Sequence, residues 1–301
     1  MTQFATGSEV KVNLVAETTP GTTPATPTML QIPFVKFDVD LTQTTYEDNS
    51  VYADRMERYA IAGLRKAAGT LSGNLSHTNF SPILQTAMFN PWSSNVIKTG
   101  TALQTITLEK WHTDISKGFV VTGAFADKIA FKLPVSGLVT FDATIAGFNV
   151  TTETTALSAS PTAPTAEQPF TVVNATLVKE GGSAIATLTG VDFTIDNKAT
   201  ALDVLGSQTP VGYVAGMSKV TGTATAYVTD LSLYTKFANQ TGTSIEVTLT
   251  DGTNTWDVLF PNIVYTAAKI PVQGQGAIVQ SLSFTALRDP TALSNIVITR
   301  S

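Results

Sequence analysis

Two histidines and a repeated glycine–lysine pattern are the residues whose types and spacing could do chemistry in this sequence. His77 and His112 could each act as a general base or a metal ligand, but neither has a second histidine or a carboxylate at ligand spacing. A serine nucleophile would need a G-x-S-x-G turn, which the stretch around Ser136 does not complete. The sequence therefore predicts no catalytic residue, no metal site and no cofactor, and we do not expect an enzyme.

The glycine–lysine pattern is present twice, with the spacing A-G-x-x-K-x-x-G-T. Its first copy consists of Ala62, Gly63, Lys66, Gly69 and Thr70, and its second of Ala215, Gly216, Lys219, Gly222 and Thr223. A phosphate-binding loop would open a helix, whereas the second glycine of each copy leads into an alternating stretch typical of a strand. The stretches around the two copies also recur in the same order, which indicates an internal duplication.

The elements that must position these residues read as mainly β. We predict two tandem β-sandwich domains from the duplication, 1–150 and 169–301, joined by a linker 151–168 rich in Thr, Ala, Pro and Ser. Each half has one short α-helix: the first from Ser81 to Phe89 with Ser81 as N-cap, and the second capped by Asp230.

The strands follow from alternating apolar residues and turn signals. Strand 35–40 is aligned with 191–196, and Glu180-Gly181-Gly182-Ser183 predicts a hairpin turn. Further expectations are an irregular loop at 18–33, separate strands at 119–125 and 129–133, separate strands at 255–260 and 263–266, and a last strand at 295–299.

Composition limits the possible partners. Only 14% of the residues are charged and the formal net charge is -5, so neither half is a basic nucleic-acid-binding module. Cysteine is absent, which rules out disulfides and thiolate metal sites. The sequence has no run of about 18 apolar residues, and we expect a soluble protein made in the cytoplasm, with no membrane partner.

The predicted strands have two contrasting faces. One register presents the apolar residues of a core, among them Phe37, Phe141, Phe193 and Phe284. The other presents Thr, Ser and Asn together with Asp38, Asp40, Asp192 and Asp196, and Lys36 as its one base. These aspartates alternate with apolar residues on single strands, so we interpret them as an exposed strand face and not as a cation site.

A long loop without periodicity is predicted from Thr42 to Leu64. It contains the most charged stretch of the chain: Glu47, Asp48, Asp54, Arg55, Glu57 and Arg58. The equivalent stretch of the second half, 199–217, carries only Asp203. Loops of this length in compact domains usually serve a function.

Four stretches in series resemble the major tail tube proteins of long-tailed, non-contractile bacteriophages. They are the opening 15–27 (VAETTPGTTPATP), the loop that contains Arg55, the A-G-x-x-K-x-x-G-T pattern, and the ending 296–300 (IVITR). This resemblance covers nearly the whole chain. It implies tail-tube-type β-sandwich domains in a non-enzymatic building block of the virion, made and assembled in the host cytoplasm.

The resemblance also implies partners. Copies of the chain would join into rings, and stacked rings would form a hollow tube that conducts viral DNA without binding it specifically, with other tail proteins at the tube ends. Two similar halves favour rings of three chains. We expect the four aspartates to face the lumen and the charged loop to contact the next ring, with Arg55 and Arg58 pairing with carboxylates.

Other classes remain open at this point. A surface adhesin built as a double β-sandwich would be monomeric with a carbohydrate or protein site, and another phage structural or decoration protein would share the composition. An enzyme would need a polar cluster that the sequence does not offer.

Overall fold

A computed structural model describes residues 4–171, 173, 175–272 and 274–301. Strands make up 50% of the chain and helices 6%, which confirms the mainly β prediction. The first-half strands are β1 (Val10–Ala16), β2 (Leu30–Ile32), β3 (Lys36–Phe37), β4 (Asp40–Glu47), β5 (Ala60–Asn74), β6 (Val96–Lys98), β7 (Ile106–His112), β8 (Lys117–Leu133), β9 (Thr140–Gly147) and β10 (Asn149–Glu153). The later strands are β11 (Ala175–Glu180), β12 (Ser183–Ala184), β13 (Leu188–Asp196), β14 (Thr200–Leu202), β15 (Gly212–Val214), β16 (Lys219–Tyr227), β17 (Thr243–Thr250), β18 (Thr255–Lys269), β19 (Val279–Ala286) and β20 (Val297–Arg300).

Alternation explains why these segments are strands. Along β9, Phe141, Ala143 and Ile145 are buried while the intervening residues are more accessible, and β13 and β19 follow the same rule. The predicted core register is confirmed for Phe141, Phe193 and Phe284, while Phe37 is only partly buried. The apolar register of strand 35–40 also predicts Val35 to lie in the core, and this prediction was wrong: the Val35 side chain is 66% exposed, because it precedes the paired residues of β3.

Two short α-helices and one 3-10 helix (Gly7–Glu9) are present among the described residues. The first, α1 (Ser81–Met88), buries Ile83, Leu84, Ala87 and Met88 and has Pro82 in its first turn. Ser81 is not its N-cap as predicted, because Phe80 occupies that position and the Ser81 hydroxyl accepts a hydrogen bond from Arg300. The second, α2 (Ser232–Ala238), begins where the Asp230 carboxylate accepts the Ser232 N–H at 2.7 Å.

In the first half, antiparallel pairing follows two paths that meet on β8. One runs β2–β1–β7–β8–β10, and the other runs from β3 and β4 through β5 and β9 to β8. The amino-terminal part of β8 belongs to the first path and its carboxy-terminal part to the second. The single strand β8 replaces the two strands predicted at 119–125 and 129–133 because a bulge at Asp127 lets pairing with β9 continue.

The second half repeats this order of pairing. One path runs β12–β11–β17–β18–β20, and the other runs β13–β16–β19–β18. Bulges also recur: Asp127 of β8 corresponds to Thr266 of β18. The single strand β18 replaces the two strands predicted at 255–260 and 263–266, because its pairing with β17 continues from Phe260 to Ile263. The last strand is confirmed at Val297–Arg300, and the hairpin turn has positive φ angles of 59° at Gly181 and 79° at Gly182.

The pairing corrects one alignment between the halves. On β5, Gly69 lies between the residues that pair with β3 and those that pair with β4. Asp38 donates its N–H to the carbonyl of Thr70, the residue after Gly69. In the second half Asp192 lies opposite Thr223, the residue equivalent to Thr70. Asp38 therefore corresponds to Asp192, a shift of two residues from the sequence alignment, which an alternating pattern tolerates because its period is two.

The halves are joined by main-chain pairing and by a shared core. Residues 128–133 of β8 pair with residues 191–196 of β13, and β20 pairs with both β18 and β6. In the core, Phe131 stacks on Phe193 with ring centroids 4.8 Å apart, and Phe193 meets Phe260 edge-on at 5.1 Å. Both strand pairing and aromatic packing thus cross between the two predicted domains.

The predicted linker begins inside β10, which ends at Glu153. Beyond it, the chain is held against the first half: Leu157 donates its N–H to buried Glu109 at 2.7 Å, and Asn79 exchanges hydrogen bonds with Thr165. The loop predicted at 18–33 includes strand β2, which pairs with β1 and lies beside Thr162.

Candidate interaction surfaces

One broad polar face follows the second pairing path across both halves. The sheet order is β4–β5–β9–β8–β13–β16–β19–β18, with β3 beside β5 ahead of β4. Cross-strand neighbours on this face are small hydroxyl and carboxylate residues, such as Thr70 opposite Thr144 and Thr223 opposite Ser283. We call this surface the polar face.

The four predicted aspartates lie on the polar face. Asp38, Asp40 and Asp192 are exposed, and Asp196 is partly exposed. Asp38 pairs with Lys36 at 2.5 Å and accepts the Thr70 N–H. The hydrogen bond from Lys36 has the largest effect and, with the weaker contribution of the Thr70 N–H, holds the pKa of Asp38 below the usual 3.8, although desolvation acts in the opposite direction. Asp40 lies 4.0 Å from Lys110 at the edge of the sheet.

Lys36 is not the one base of this face, so that expectation was wrong. Lys132 lies opposite Asp192 and 3.5 Å from Asp142, while Lys128 and Lys219 flank Asp196 from both sides. The face therefore interleaves charges of both signs. The missed signal is in the sequence, since the lysines alternate with buried Ile129 and Phe131 along β8.

The repeated glycines have a packing role. A methyl group at Gly69 would lie 2.5 Å from the Asp38 carbonyl oxygen, and one at Gly222 would lie 2.6 Å from the Asp192 carbonyl oxygen. A methyl group at Gly216 would lie 2.7 Å from the Lys198 carbonyl oxygen, whereas one at Gly63 would meet the side chains of Tyr46 and Thr44. Gly69, Gly216 and Gly222 permit close approach of neighbouring backbone, Gly63 leaves room for side chains, and no helix begins at either copy.

The copies of the motif otherwise differ in local structure. All of the first copy lies on β5, whereas Ala215 and Gly216 precede β16, which begins at Lys219. The two lysines of the motif, Lys66 and Lys219, are exposed.

A hairpin arm occupies most of the segment predicted as the long loop 42–64. Strand β4 continues to Glu47 and β5 begins at Ala60, so only residues 48–59 form a loop. The prediction of an irregular segment was wrong because β4 and the start of β5 pair along an exposed ribbon that has no buried face to create periodicity. We call residues 43–63 the arm.

Charged groups of the arm tip are partly paired with each other. Arg58 binds Asp54 at 2.8 Å and lies over the Tyr52 ring with its guanidinium 4.1 Å from the centroid. The hydrogen bond from Arg58 lowers the pKa of Asp54, and bonds from Ser50 and Tyr52 lower that of Asp48. Glu47, Arg55 and Glu57 are exposed, with no side-chain partner among the described residues.

The arm also exposes large apolar side chains that the focus on charge missed. Val51 is 93% exposed and Met56 is 72% exposed, and Tyr46, Tyr59 and Ile61 are exposed as well. Apolar residues concentrated on one protruding element mark a contact surface.

The equivalent hairpin of the second half, β14–β15, lies against the first half. Tyr213 donates its hydroxyl to the Gly147 carbonyl at 3.0 Å and meets the Phe125 ring at 4.9 Å. The Arg65 N–H donates to the Gln208 carbonyl at 2.7 Å. Burial raises the pKa of Tyr213 to about 12. The β14–β15 hairpin therefore packs against its own chain. The corresponding arm of the first half packs against no other part of the described residues.

Two sheet edges are open at opposite ends of the polar face. In the part of the chain that the structure describes, no strand pairs with the outer edge of β4 or with the outer edge of residues 264–269 in β18. An open edge is a template for pairing with another strand.

Metal clusters and membrane-spanning helices are both absent from the described residues. The described residues contain no cluster of three or more His, Asp or Glu side chains that could hold a metal ion. Over the same residues, no helix has the length and apolar character needed to span a membrane. His77 and His112 lie apart on the first half, as part of neither open edge.

Comparison with known families gives a match over most of the chain. The sequence model of the phage tail tube protein family matches residues 7–286. None of the curated proteins compared with the chain matches it. The matched range includes the polar face, the arm and both open edges. The chain is a structural component of a phage virion and belongs to the phage tail tube protein family.

Proposed function

We propose that this chain is the non-enzymatic building block of the tail tube of a long-tailed, non-contractile phage. Copies join into rings, and stacked rings form the hollow tube through which DNA passes from capsid to host. The observation that carries this proposal is the polar face, one continuous sheet built by both halves and open at both ends. Such a sheet extends by adding further copies at its edges.

The number of chains per ring follows from the repeated pairing order. We propose that the halves, 1–150 and 169–301, arose by tandem duplication and are joined by the linker 151–168. The recurring bulges at Asp127 and Thr266 and the recurring close approaches at Gly69 and Gly222 support this origin. Three chains then supply six similar sheets to one closed ring.

The polar face is the proposed wall of the lumen. Its hydroxyl groups, with Asp38, Asp40, Asp192 and Asp196, offer DNA few unpaired cations. The lysines of the face lie beside aspartates, as Lys132 does beside Asp142 and Lys128 opposite Asp196. A wall of this charge pattern releases few counterions from DNA, so the duplex passes without specific binding.

The arm is the proposed contact between stacked rings. It exposes apolar residues such as Val51 and Met56 together with Glu47, Arg55 and Glu57. An arginine fork pairs bidentately with a carboxylate of the next ring. Because Arg58 already holds Asp54, Arg55 is the freer of the two arginines for this contact.

The remaining partners follow from the tube. Other tail proteins bind at its two ends, no membrane partner is involved, and assembly takes place in the host cytoplasm before the virion is released. The chain needs no cofactor for this role.

Negative-stain electron microscopy of the purified protein tests the proposal. We expect annuli or tubes with a central hole, and native mass measurement of isolated rings should give three chains. Monodisperse single chains at high concentration would contradict a tube-forming function, and rings of six chains would contradict the proposed symmetry while leaving the function intact.

A further inference from the structure

Strand β8 of the first half pairs with strand β13 of the second half, and we call this pairing the filled joint. Ile129 lies opposite Ile195, and both side chains are buried. On the polar face of the same joint Lys128 lies opposite Asp196 and Lys132 opposite Asp192. The joint thus combines an apolar side with a side on which β8 supplies lysines and β13 supplies aspartates.

The two open edges belong to the counterparts of these strands. Strand β18 is the second-half counterpart of β8, and strand β4 is the first-half counterpart of β13. Through their pairing with β9 and β19, Ile129 of β8 corresponds to Ala268 of β18. Through their pairing with β5 and β16, Ile195 of β13 corresponds to Leu41 of β4. Each chain therefore contains one such pairing, β8 with β13, and carries two further strands, β18 and β4, whose equivalent edges have no partner among the described residues.

The two unfilled edges do not pair with each other in one copy. They lie at opposite ends of an eight-strand path, a separation of about 34 Å at the usual strand spacing. A second copy of the chain supplies the missing strand at either edge.

We propose that β18 of one copy pairs antiparallel with β4 of the next in the register of the β8–β13 joint. This register places Ala268 opposite Leu41, Lys269 opposite Asp40 and Ala267 opposite Thr42. The inference rests on the proposed function, in which copies of this chain form a ring, and it names the strands, the register and the pairs that hold the ring together.

The side chains of both edges fit this register. Leu41 is 37% exposed in the single chain, whereas its counterpart Ile195 is 0% exposed in the filled joint. Lys269 and Asp40 are both exposed and oppositely charged, with the lysine on the β8-equivalent strand and the aspartate on the β13-equivalent strand as in the Lys128–Asp196 pair, although the residues that they replace in the filled joint are Ala130 and Thr194. Among the described residues, Lys110 is the one cation near Asp40, at the long distance of 4.0 Å.

Cysteine cross-linking tests the register, since the natural sequence has no cysteine. The variant Leu41→Cys with Ala268→Cys places the two sulfur-bearing residues directly opposite in the proposed joint, within the Cα separation that a disulfide spans. The matched control is Gln43→Cys with Ala268→Cys, which moves one cysteine two residues along the same exposed face. That shift separates the Cα atoms by about 8 Å, too far for a disulfide.

The expected result is a ladder of disulfide-linked chains on a non-reducing gel for the Leu41 and Ala268 pair, lost on reduction and absent from the control. Electron microscopy of the same samples distinguishes a wrong register from a failure to form rings. Rings without a cross-link at Leu41 and Ala268, or with a stronger one in the control, overturn the register and leave the tube function standing. Failure of the wild-type protein to form rings overturns the proposed function and this inference with it.

A charge exchange tests the polar side of the joint independently. Asp40→Lys alone places two lysines opposite each other and should reduce ring formation. Adding Lys269→Asp restores opposite charges and should recover rings, whereas adding Lys219→Asp, on a strand inside the sheet, should not. Equal recovery by both second changes would overturn the pairing of Asp40 with Lys269.

Discussion

Replacing Gly222 with alanine tests whether the repeated glycines permit close backbone approach. The new methyl group would lie 2.6 Å from the Asp192 carbonyl oxygen and would also press on the Phe284 ring. Overpacking of this kind costs about 1–3 kcal/mol, and the smaller entropy of the unfolded alanine chain offsets about 0.4–1 kcal/mol of it. A net loss of about 1–2 kcal/mol remains, which corresponds to a melting temperature lower by roughly 2–6 °C.

The measurement is thermal unfolding followed by circular dichroism at a protein concentration that keeps the chains apart. Gly276→Ala is the matched control, because no atom lies within 4 Å of the position its methyl group would take. That control should change the free energy of unfolding by no more than about 0.5 kcal/mol. If both variants melt at the same temperature, the close-approach explanation of the repeated motif is wrong.

Three other changes address assembly, the lumen and pH. Arg55→Ala with Arg58→Ala should leave the melting temperature of the single chain nearly unchanged, since each exposed ion pair contributes only about 0.2–1 kcal/mol, yet shorten the tubes seen by microscopy; tubes of normal length would exclude a stacking role. Lysine in place of Asp38, Asp40, Asp192 and Asp196 should slow DNA ejection most at low salt, and an ejection rate independent of salt would contradict a lumenal position; because Asp40 belongs to the proposed joint, and Asp192 and Asp196 lie opposite Lys132 and Lys128 in the filled joint, Asp38→Lys alone serves as the control for assembly. Burial raises the pKa of Asp127 above its ordinary 3.8, so its ionisation costs stability as pH rises through that window, and Asp127→Asn should stabilise the chain more at pH 7 than at pH 3 in urea titrations; an equal effect at both pH values would contradict this reading.

Much of the fold could be predicted because buried and accessible residues alternate along its strands. Strands such as β9 and β13 place a buried residue at every second position, and the Gly181-Gly182 turn needs the positive φ that glycine favours. The helices were predicted from a proline after a serine and from an acidic cap, but the N-cap positions are Phe80 and Leu231 and not Ser81 and Asp230, although Asp230 still accepts the Ser232 N–H.

The parts that could not be predicted depend on partners distant in sequence. Asp127 interrupts the alternation of β8, and only the structure shows that its carboxylate accepts the Ala199 N–H at 2.7 Å and that the strand continues past it. The arm has no buried face in the single chain, so its strands leave no periodic signal. The alignment of Asp38 with Asp192 was likewise missed, because a shift of two residues preserves an alternating pattern.

Among the candidate sites, the aspartates were placed correctly on one polar face, whereas the lysines beside them were missed. Lys128 and Lys132 lie on the same strand as buried Ile129 and Phe131, so their face could be read from alternation. That this strand adjoins the aspartates of β13 could not, because the pairing joins residues about sixty positions apart and is set by packing of Phe131 on Phe193.

The filled β8–β13 joint changes how assembly begins. Because its two strands belong to one polypeptide, they meet at the millimolar effective concentration of tethered segments, and this joint closes while the chain folds. In the part of the chain that the structure describes, the polar face of each folded chain then has two open edges, where two separate single-domain proteins would together have four. Fewer open edges mean fewer unproductive encounters in a crowded cell, and the proposed ring of three needs only three joints between chains, two formed by association of separate chains and the third by closure of the ring.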